Sequence, residues 1–304
     1  MPFVEHSEKT YAATMAERRS RQEQTMAARQ SSSRDLSHRM FSGALGIGDR
    51  LLRVAPYGVV RAFELYLTLR NDPLLKVIDA HVSRGQVAVD IGAHRGWYSR
   101  RLAARVGPAG RVHAIEPNEE AVRVLKAVAR RNPNITIHSL AVSSTSGVGH
   151  LRRPYLDARR TDAMGSLSNP VIDSVPHDSV DVPLATLDSV LDAEARPVNF
   201  IKCDVEGHEH EVLMGAEGTI RAYHPVIMVE IEQRHRPRPV AETFDWLLAR
   251  GYEGYCITSR GTKVLAQFDV ERDQLRYTRT ELRPERPDPR YVSDFLFVPK
   301  GKGA

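Results

Sequence analysis

Two periods of apolar and polar positions run along this chain, and the switches between them mark out its elements. The run Val87-Ala88-Val89-Asp90-Ile91 is short, apolar and β-branched, which predicts a strand buried on both faces. It breaks at Gly92, and from Gly96 onward Trp97, Leu102 and Val106 recur at helical intervals. Ala114-Ile115 closes a second apolar strand. Val122, Val124, Leu125 and Val128 then give the helix after Asn118 its apolar face, with Glu119 and Glu120 well placed in its first turn. Asn132-Pro133-Asn134 ends that helix, and Ile135-Thr136-Ile137 opens a third strand expected to run to Val142. Further strands are predicted at Val198 to Cys203, Val226 to Glu232, Tyr252 to Thr258 and Phe295 to Val298, with a helix from Ala241 to Arg250. Strands alternating with helices in this way predict an α/β fold with an open, mostly parallel sheet.

The flanking regions read differently. From Phe41 to Val82 the apolar residues Leu51, Leu52, Val59, Val60, Phe63, Leu65, Leu67 and Leu69 form amphipathic helical patterns. The pattern breaks at Asn71-Asp72-Pro73 and resumes through Leu74, Leu75, Val77 and Ile78. Packing against the sheet is the favoured role for this helical cap, ahead of a lid. Residues Met1 to Met40 are charged and alanine-rich, with Arg18, Arg19 and Arg21 and a Ser31-Ser32-Ser33 run, and are expected to form a flexible polar arm. The division expected is therefore an arm over 1–40, a helical cap over 41–84 and the α/β domain over 85–300. Within that domain Leu151 to Pro183 is irregular and reads as an excursion, a hairpin or flexible loop. Its arginines Arg152, Arg153, Arg159 and Arg160 are expected to form a solvated face.

Composition narrows the class. With 41% hydrophobic residues in 304, the chain can bury a sizeable core. A net charge of +5 is spread rather than blocked, and no basic motif is interleaved with base-stacking aromatics, so nucleic acid is not the expected partner. Two cysteines, Cys203 and Cys256, both sit in apolar strand-like runs and imply no disulfide framework. Residues 1–40 lack an apolar signal core and nothing approaches a membrane span, so a cytoplasmic protein is expected, with homo-oligomerisation left open.

The candidate chemistry starts at the first strand. A strand, a glycine turn and a helix N-terminus let backbone approach a ligand closely. The turn is not G-x-G-x-x-G: the middle glycine is absent, His94 and Arg95 occupy the turn, and Asp90 stands two residues before Gly92. A carboxylate there repels a pyrophosphate but suits a cationic amino-acid moiety. Glu116 follows about twenty residues beyond Gly96, where nucleoside-binding folds place a carboxylate for ribose hydroxyls. An ammonium, a sulfonium and a ribose together point to S-adenosylmethionine.

A second landmark is the strand ending in Lys202-Cys203-Asp204-Val205-Glu206-Gly207-His208-Glu209, and a third ends in Glu230-Ile231-Glu232. Asp90, Glu116, Asp204 and Glu230 all fall at the carboxyl ends of strands, which predicts one crevice. Carboxylates so gathered repel one another unless cations share the site; Lys202 or a divalent metal can add to the donor's charge. Asp204, Glu206 and Glu230 are the oxygen ligands proposed for Mg²⁺. Asp204 and Glu206 can alternatively cap the next helix. His208 is expected one turn into that helix, either exposed or acting as a base, and His235, amid Arg234, Arg236 and Arg238, is expected at the surface.

The segment Ile201-Lys202-Cys203-Asp204-Val205-Glu206-Gly207 resembles the FkbM-type family of S-adenosylmethionine-dependent O-methyltransferases, whose pattern runs isoleucine, lysine, a variable residue, aspartate, valine, glutamate, glycine. Val89-Asp90-Ile91-Gly92-Ala93 with Gly96, Glu116-Pro117-Asn118, Ala141-Val142-Ser143 with Gly147, and Leu187-Asp188 match as well, so the resemblance spans Gln86 to Val298. His94 departs from the family's asparagine. The resemblance implies a doubly wound, Rossmann-like sheet of seven strands, mostly parallel with an antiparallel last strand, behind an N-terminal helical extension. It implies methyl transfer to a hydroxyl of a small molecule: a sugar, a glycolipid or a polyketide-like natural product. Asp204 and His208 become the catalytic candidates, and Asp90, Gly92, His94, Gly96, Glu116, Asn118, Ala141 and Asp204 the cofactor contacts. Two other classes remain open on the same fold: a nucleic-acid binder or modifier, and a catalytically silent donor-binding scaffold.

Overall fold

The structure, a computed structural model, describes residues 51–52, 54–156, 159–160, 165–277, 288 and 290–301; the polar arm expected over 1–40 and the first part of the cap, 41–50, lie outside the described residues. Helices α1 (Pro56–Leu69) and α2 (Pro73–His81) precede the sheet. Asp72 ends the break between them and starts α2, its side chain accepting from the amides of Leu74 and Leu75 at 3.0 and 3.1 Å while Pro73 takes the first helical position.

Then come β1 (Val87–Ile91), α3 (Trp97–Val106), β2 (Arg111–Ile115), α4 (Glu119–Ala129) and β3 (Ile135–His138). The chain next leaves the main sheet for β4 (Ala141–Val142), β5 (Gly147–Leu156), β6 (Arg159–Arg160), α5 (Pro170–Asp173) and β7 (His177–Ala185). It returns through α6 (Leu187–Val190), β8 (Val198–Cys203), α7 (Glu209–Met214), α8 (Glu217–Tyr223), β9 (Val226–Glu230) and α9 (Ala241–Leu248). Last are β10 (Tyr252–Thr258), β11 (Gly261–Val264), α10 (Val270–Asp273) and β12 (Asp294–Pro299).

The main sheet has eight strands in the order β3-β2-β1-β8-β9-β12-β10-β11. Pairing is parallel from β3 across to β9, and β12 runs antiparallel to both of its neighbours. This is the doubly wound α/β sheet expected, with one strand more: β11 folds back on β10 as a hairpin and lengthens the edge. The chain winds outward from β1 to β3, crosses over, and resumes at β8 on the other side of β1. The β1/β8 boundary is therefore the point where strand order reverses and a crevice opens at the carboxyl ends.

One expected strand divides in two. β3 stops at His138, and Ala141–Val142 pair with β7 in a four-stranded second sheet, order β4-β7-β5-β6. The reason lies in β2: its last ladder bond runs from the Glu116 amide to the His138 carbonyl at 3.0 Å, and Pro117 beyond it has no N–H to offer. The irregular 151–183 stretch is dominated by the long antiparallel pairing of β5 with β7. Arg152 and Arg153 are committed there, Arg152 to Asp173 and the Leu167 carbonyl, Arg153 in a two-point bond to Asp178.

The period of two sorts the core onto two faces. Val87, Val89, Ile91, Ile201 and Cys203 pack with Leu213, Ile220, Phe244 and Leu247 on one side. Ala88, Phe200 and Met228 face the other side, against Leu102 of α3 and Val60, Phe63 and Leu67 of α1. The cap helix is thus part of the main core. Phe63 meets Trp97 edge-on at 4.7 Å between ring centroids, and buried Glu64 pairs with Arg100. Among the described residues no helix is long and apolar enough to cross a membrane. Both cysteines are buried and free.

Candidate functional site

The site follows from which face the polar residues of the central strands occupy. Asp90 shares the Ala88 face of β1 and Lys202 the Phe200 face of β8, and the two are cross-strand partners. Their side chains meet: Lys202 Nζ lies 3.5 Å from Asp90 Oδ1 and 3.2 Å from Asp204 Oδ2, with the Tyr98 ring centroid 5.1 Å away. Ser99 of α3 donates to the other Asp90 oxygen at 2.5 Å. Asp90 is wholly buried, so it forms the floor of the crevice, whereas the Asp204 side chain remains 33% exposed. Burial works against the Lys202 charge, but Asp204 and Asp90 outweigh it and hold its pKa above the ordinary value. The same pairing holds Asp204 below the usual carboxylate range although burial pushes it up.

The glycine turn is built for close approach. Gly92 has φ +73°, and a Cβ there would overlap the Asp204 carbonyl oxygen, because the ends of β1 and β8 touch at that point. Gly96 has φ +85°, and a Cβ there would lie 2.7 Å from Leu125 Cδ1. His94, between them, is left-handed at φ +48°, a conformation that asparagine and histidine both tolerate. That accounts for the departure from asparagine without loss of the turn. Glu116 holds the turn from below: one oxygen accepts from the His94 amide at 2.7 Å, the other from the Asn118 amide at 2.8 Å. Asn118 caps α4, accepting from the Glu120 amide at 3.0 Å. Ala141 packs its side chain into the small sheet with Leu151 and Val182.

Across the switch point, Asp204, Glu206 and Glu230 bring carboxylate oxygens within 4.8 Å of one another. Glu230 ends β9 next to β8, and Asp294 of β12 is its register partner. Burial first and then Asp204 push Glu206 and Glu230 well above their ordinary values, and Glu230 shares a hydrogen bond with Asp204. Burial raises Glu232 too, but His235 and Arg234 outweigh it and bring it to about 2. Glu232 is bonded by Arg234 and the Tyr291 hydroxyl, which ties it to the wall.

Two histidines are placed differently from the sequence expectation. His208 is not one turn into the helix; it is the residue before α7, largely buried. Its Nδ1 faces Ser168 Oγ at 2.7 Å and its Nε2 faces Ser143 Oγ at 3.0 Å, so the ring joins three segments. Burial lowers its pKa. His235 is not at the surface: it is 1% exposed, with Nδ1 3.3 Å from Glu206 Oε2, and burial brings its pKa to about 4. The strand Val226–Glu230 leads straight into the short 3₁₀ turn that carries it inward. Lys202 had a legible signal, since two residues before Asp204 in a strand is the same face, and Ser143 stood in the matched Ala141-Val142-Ser143 motif; the contacts of Ser99, Ser166 and Ser168 had none.

Glu209 carries a pH prediction. It is 1% exposed, accepts from the Gly207 amide at 2.7 Å, and burial raises its pKa from 4.5 to about 7. A carboxyl raised on folding lends the fold most below its ordinary value; that stability is lost as pH climbs from 4.5 through about 7. Glu209→Gln keeps the acceptor and removes the charge. The variant is expected to match the wild type in thermal unfolding at pH 4 and to exceed it at pH 8 by about 3 kcal/mol. Equal stability of the two proteins at pH 8 rules the assignment out.

A family model, the methyltransferase FkbM domain, matches residues 90–253. No curated protein matches the chain. Among solved structures, a methyltransferase FkbM from Methylobacillus flagellatus KT is similar at 17% identity and a TM-score of 0.43, over 77% of this chain and 52% of that one. Fibrillarin from Aeropyrum pernix in complex with S-adenosyl-L-methionine is similar at 12% identity and a TM-score of 0.40, over 72% of this chain and 68% of that one. A precorrin-6y C5,15-methyltransferase from Geobacter metallireducens GS-15 is similar at 13% identity and 0.39, over 74% and 87%.

Proposed function

Because this chain belongs to the FkbM methyltransferase family, we propose that it moves a methyl group from S-adenosylmethionine to a hydroxyl of a small molecule, of the sugar, glycolipid or polyketide-like class. The observation that supports this most is the meeting of two half-sites at one switch point. The Gly92–Gly96 turn with Glu116 lies on the β1/β2 side, and Asp204 with Glu206 and Glu230 on the β8/β9 side. The residues fit the donor: carboxylates suit its cationic groups, and Glu116 stands just past the end of β2, where nucleoside-binding folds place a carboxylate for ribose hydroxyls. When bound, the donor supplies a methyl carbon activated by its sulfonium.

The chain's residues then have limited work: to align the acceptor oxygen with that carbon and to receive the proton it releases. Asp204 is the group for the proton. It is partly open, and Lys202 keeps it ionised at neutral pH. With the donor bound, Asp204 would receive the hydroxyl proton as the acceptor oxygen takes the methyl, and the donor's sulfur would keep the electron pair of the bond it gives up. His208, with both nitrogens facing serine hydroxyls, serves here to hold the wall. The cytoplasmic placement goes with this reading, as do two buried, free cysteines.

The test of donor binding is calorimetry with S-adenosylmethionine. Glu116→Ala is expected to weaken it by about 1–3 kcal/mol, through the ribose contact and the loosened His94 amide together. Equal affinity in both proteins, or a preference for NAD, overturns the assignment. The acceptor is sought by mass spectrometry of small-molecule extracts from cells with and without the chain, looking for a gain of one methylene. Label from tritiated donor appearing in RNA instead would place the acceptor in another class.

A second reading retains these residues and adds a divalent cation, favoured by the convergence of Asp204, Glu206 and Glu230 within 4.8 Å. These oxygens suit Mg²⁺, which would acidify the acceptor hydroxyl. Methylation lost in excess chelator and restored by Mg²⁺ supports it. Full activity in excess chelator leaves Asp204 and Lys202 as the whole machinery.

A further inference from the structure

The Glu206–Gly207 turn is held in a conformation that a glutamate rarely adopts. Glu206 is left-handed at φ +58° and Gly207 is at φ +106°. A Cβ on Gly207 would overlap the His235 carbonyl oxygen, so the turn cannot relax outward in that direction. Three side chains fix it. Glu209 accepts from the Gly207 amide at 2.7 Å, His235 Nδ1 stands 3.3 Å from the Glu206 carboxylate, and Ser166 Oγ donates to the Glu206 carbonyl at 2.6 Å.

Ser166 is the unusual member of this set. It comes from the excursion between β5 and β7, forty residues from Glu206. Its hydroxyl also accepts from the amides of Ser168 and Asn169, both at 3.1 Å. A serine hydroxyl has one proton and two lone pairs, and here all three are engaged. A local serine turn would explain the two accepted bonds, but not the donated one. The residue is 1% exposed, and its backbone bridges to Arg152 in both directions at 2.9 and 3.0 Å, which fastens it to the β5 ladder. Ser168 adds a second tether through His208.

We infer that Ser166 is a positioning residue: its hydroxyl lets the β5–β7 excursion fix the Glu206–Gly207 turn and so aim the Glu206 carboxylate across the acceptor side of the crevice. This rests on the reading above that Asp204, whose carboxylate Glu206 stands beside, receives the proton of the acceptor. Any shift of the excursion is then carried to the methyl-transfer site through this hydrogen bond, beside the Ser168–His208 tether.

The test uses the full chain with Ser166→Ala, which removes the hydroxyl, and Ser166→Thr, which keeps it. Each is measured by amide exchange at Gly207, by S-adenosylhomocysteine affinity, and by transfer from tritiated S-adenosylmethionine to a hydroxyl acceptor that the wild type methylates. In Ser166→Ala, Gly207 exchange is expected to rise at least about tenfold and kcat to fall at least about tenfold, with both KM values and S-adenosylhomocysteine affinity within about twofold. Ser166→Thr is expected to restore both. If Ser166→Ala does not fold, Ser166→Cys, with its weak S–H donor, takes its place in the same comparison. Unchanged Gly207 exchange overturns the positioning role, and so does fast exchange with an unchanged kcat. A wild type that binds S-adenosylhomocysteine and methylates no hydroxyl sinks the proposed function instead, while the exchange result still decides whether Ser166 holds the turn.

Discussion

Asp204→Asn is expected to leave a folded protein that binds the donor normally and transfers methyl at least about 100-fold more slowly. The side chain ends the central strand at the switch point and is 33% exposed, whereas Asp90, behind it, is wholly buried. Of the two carboxylates on Lys202, only Asp204 is open to an acceptor. Asparagine keeps the shape and can still bond Lys202, so folding is little affected, but an amide cannot take a proton from an alcohol. Lys202 holds Asp204 below the usual carboxylate range, so the titration of this carboxyl is not expected to limit the rate between pH 6 and 8. S-adenosylhomocysteine affinity by calorimetry and single-turnover transfer separate the two effects. A folded variant with methylation within about twofold of wild type would falsify the role.

Lys202→Met is expected to cost about 3–5 kcal/mol of stability, since it leaves two carboxylates facing each other with their cation gone. Asp90 has no route to water, and its second oxygen has only Ser99. The sign with pH follows from a raised lysine pKa: the contribution is complete below the ordinary 10.5 and declines only as pH rises beyond it, so the loss should be nearly constant from pH 6 to 9. Adding Asp90→Asn to Lys202→Met removes one stranded charge, and part of the loss should return. Urea unfolding of the four proteins measures the cycle. Additive losses would mean that the 3.5 Å pair carries no coupling.

Much of the frame was legible in the chain because its signals are local. The β-branched run at 87–91, the break at Gly92 and the helical spacing after Gly96 needed no partner to be read, and each element formed there. The carboxylates at the ends of β1, β2, β8 and β9 were legible for the same reason. A strand's end is marked in sequence, and strands of a parallel sheet place those ends on one side. The limit of local reading shows at Ile135–Val142. The residues remain strand-like to Val142, yet β2 has nothing left to pair with them after Pro117, so the last two join another sheet.

What the sequence by itself determined is the alternation of strand and helix, the glycine turn, and which acids stand at strand ends. These follow from side-chain period, backbone sterics at φ above zero, and turn chemistry, all set within a few residues. What only the tertiary structure decided is the partnership among them. Lys202 meets Asp90 because β8 returns beside β1 in a register that aligns those two positions. His235 is buried because the turn after β9 folds back over Gly207, and its three neighbouring arginines gave no hint of that. His208 and Ser166 acquire their bonds from an excursion whose path is fixed by the β5–β7 ladder. Contacts of this kind join residues far apart in the chain, as Ser166 joins Glu206 forty positions on. They depend on strand order and register, which no local pattern of apolar and polar residues encodes.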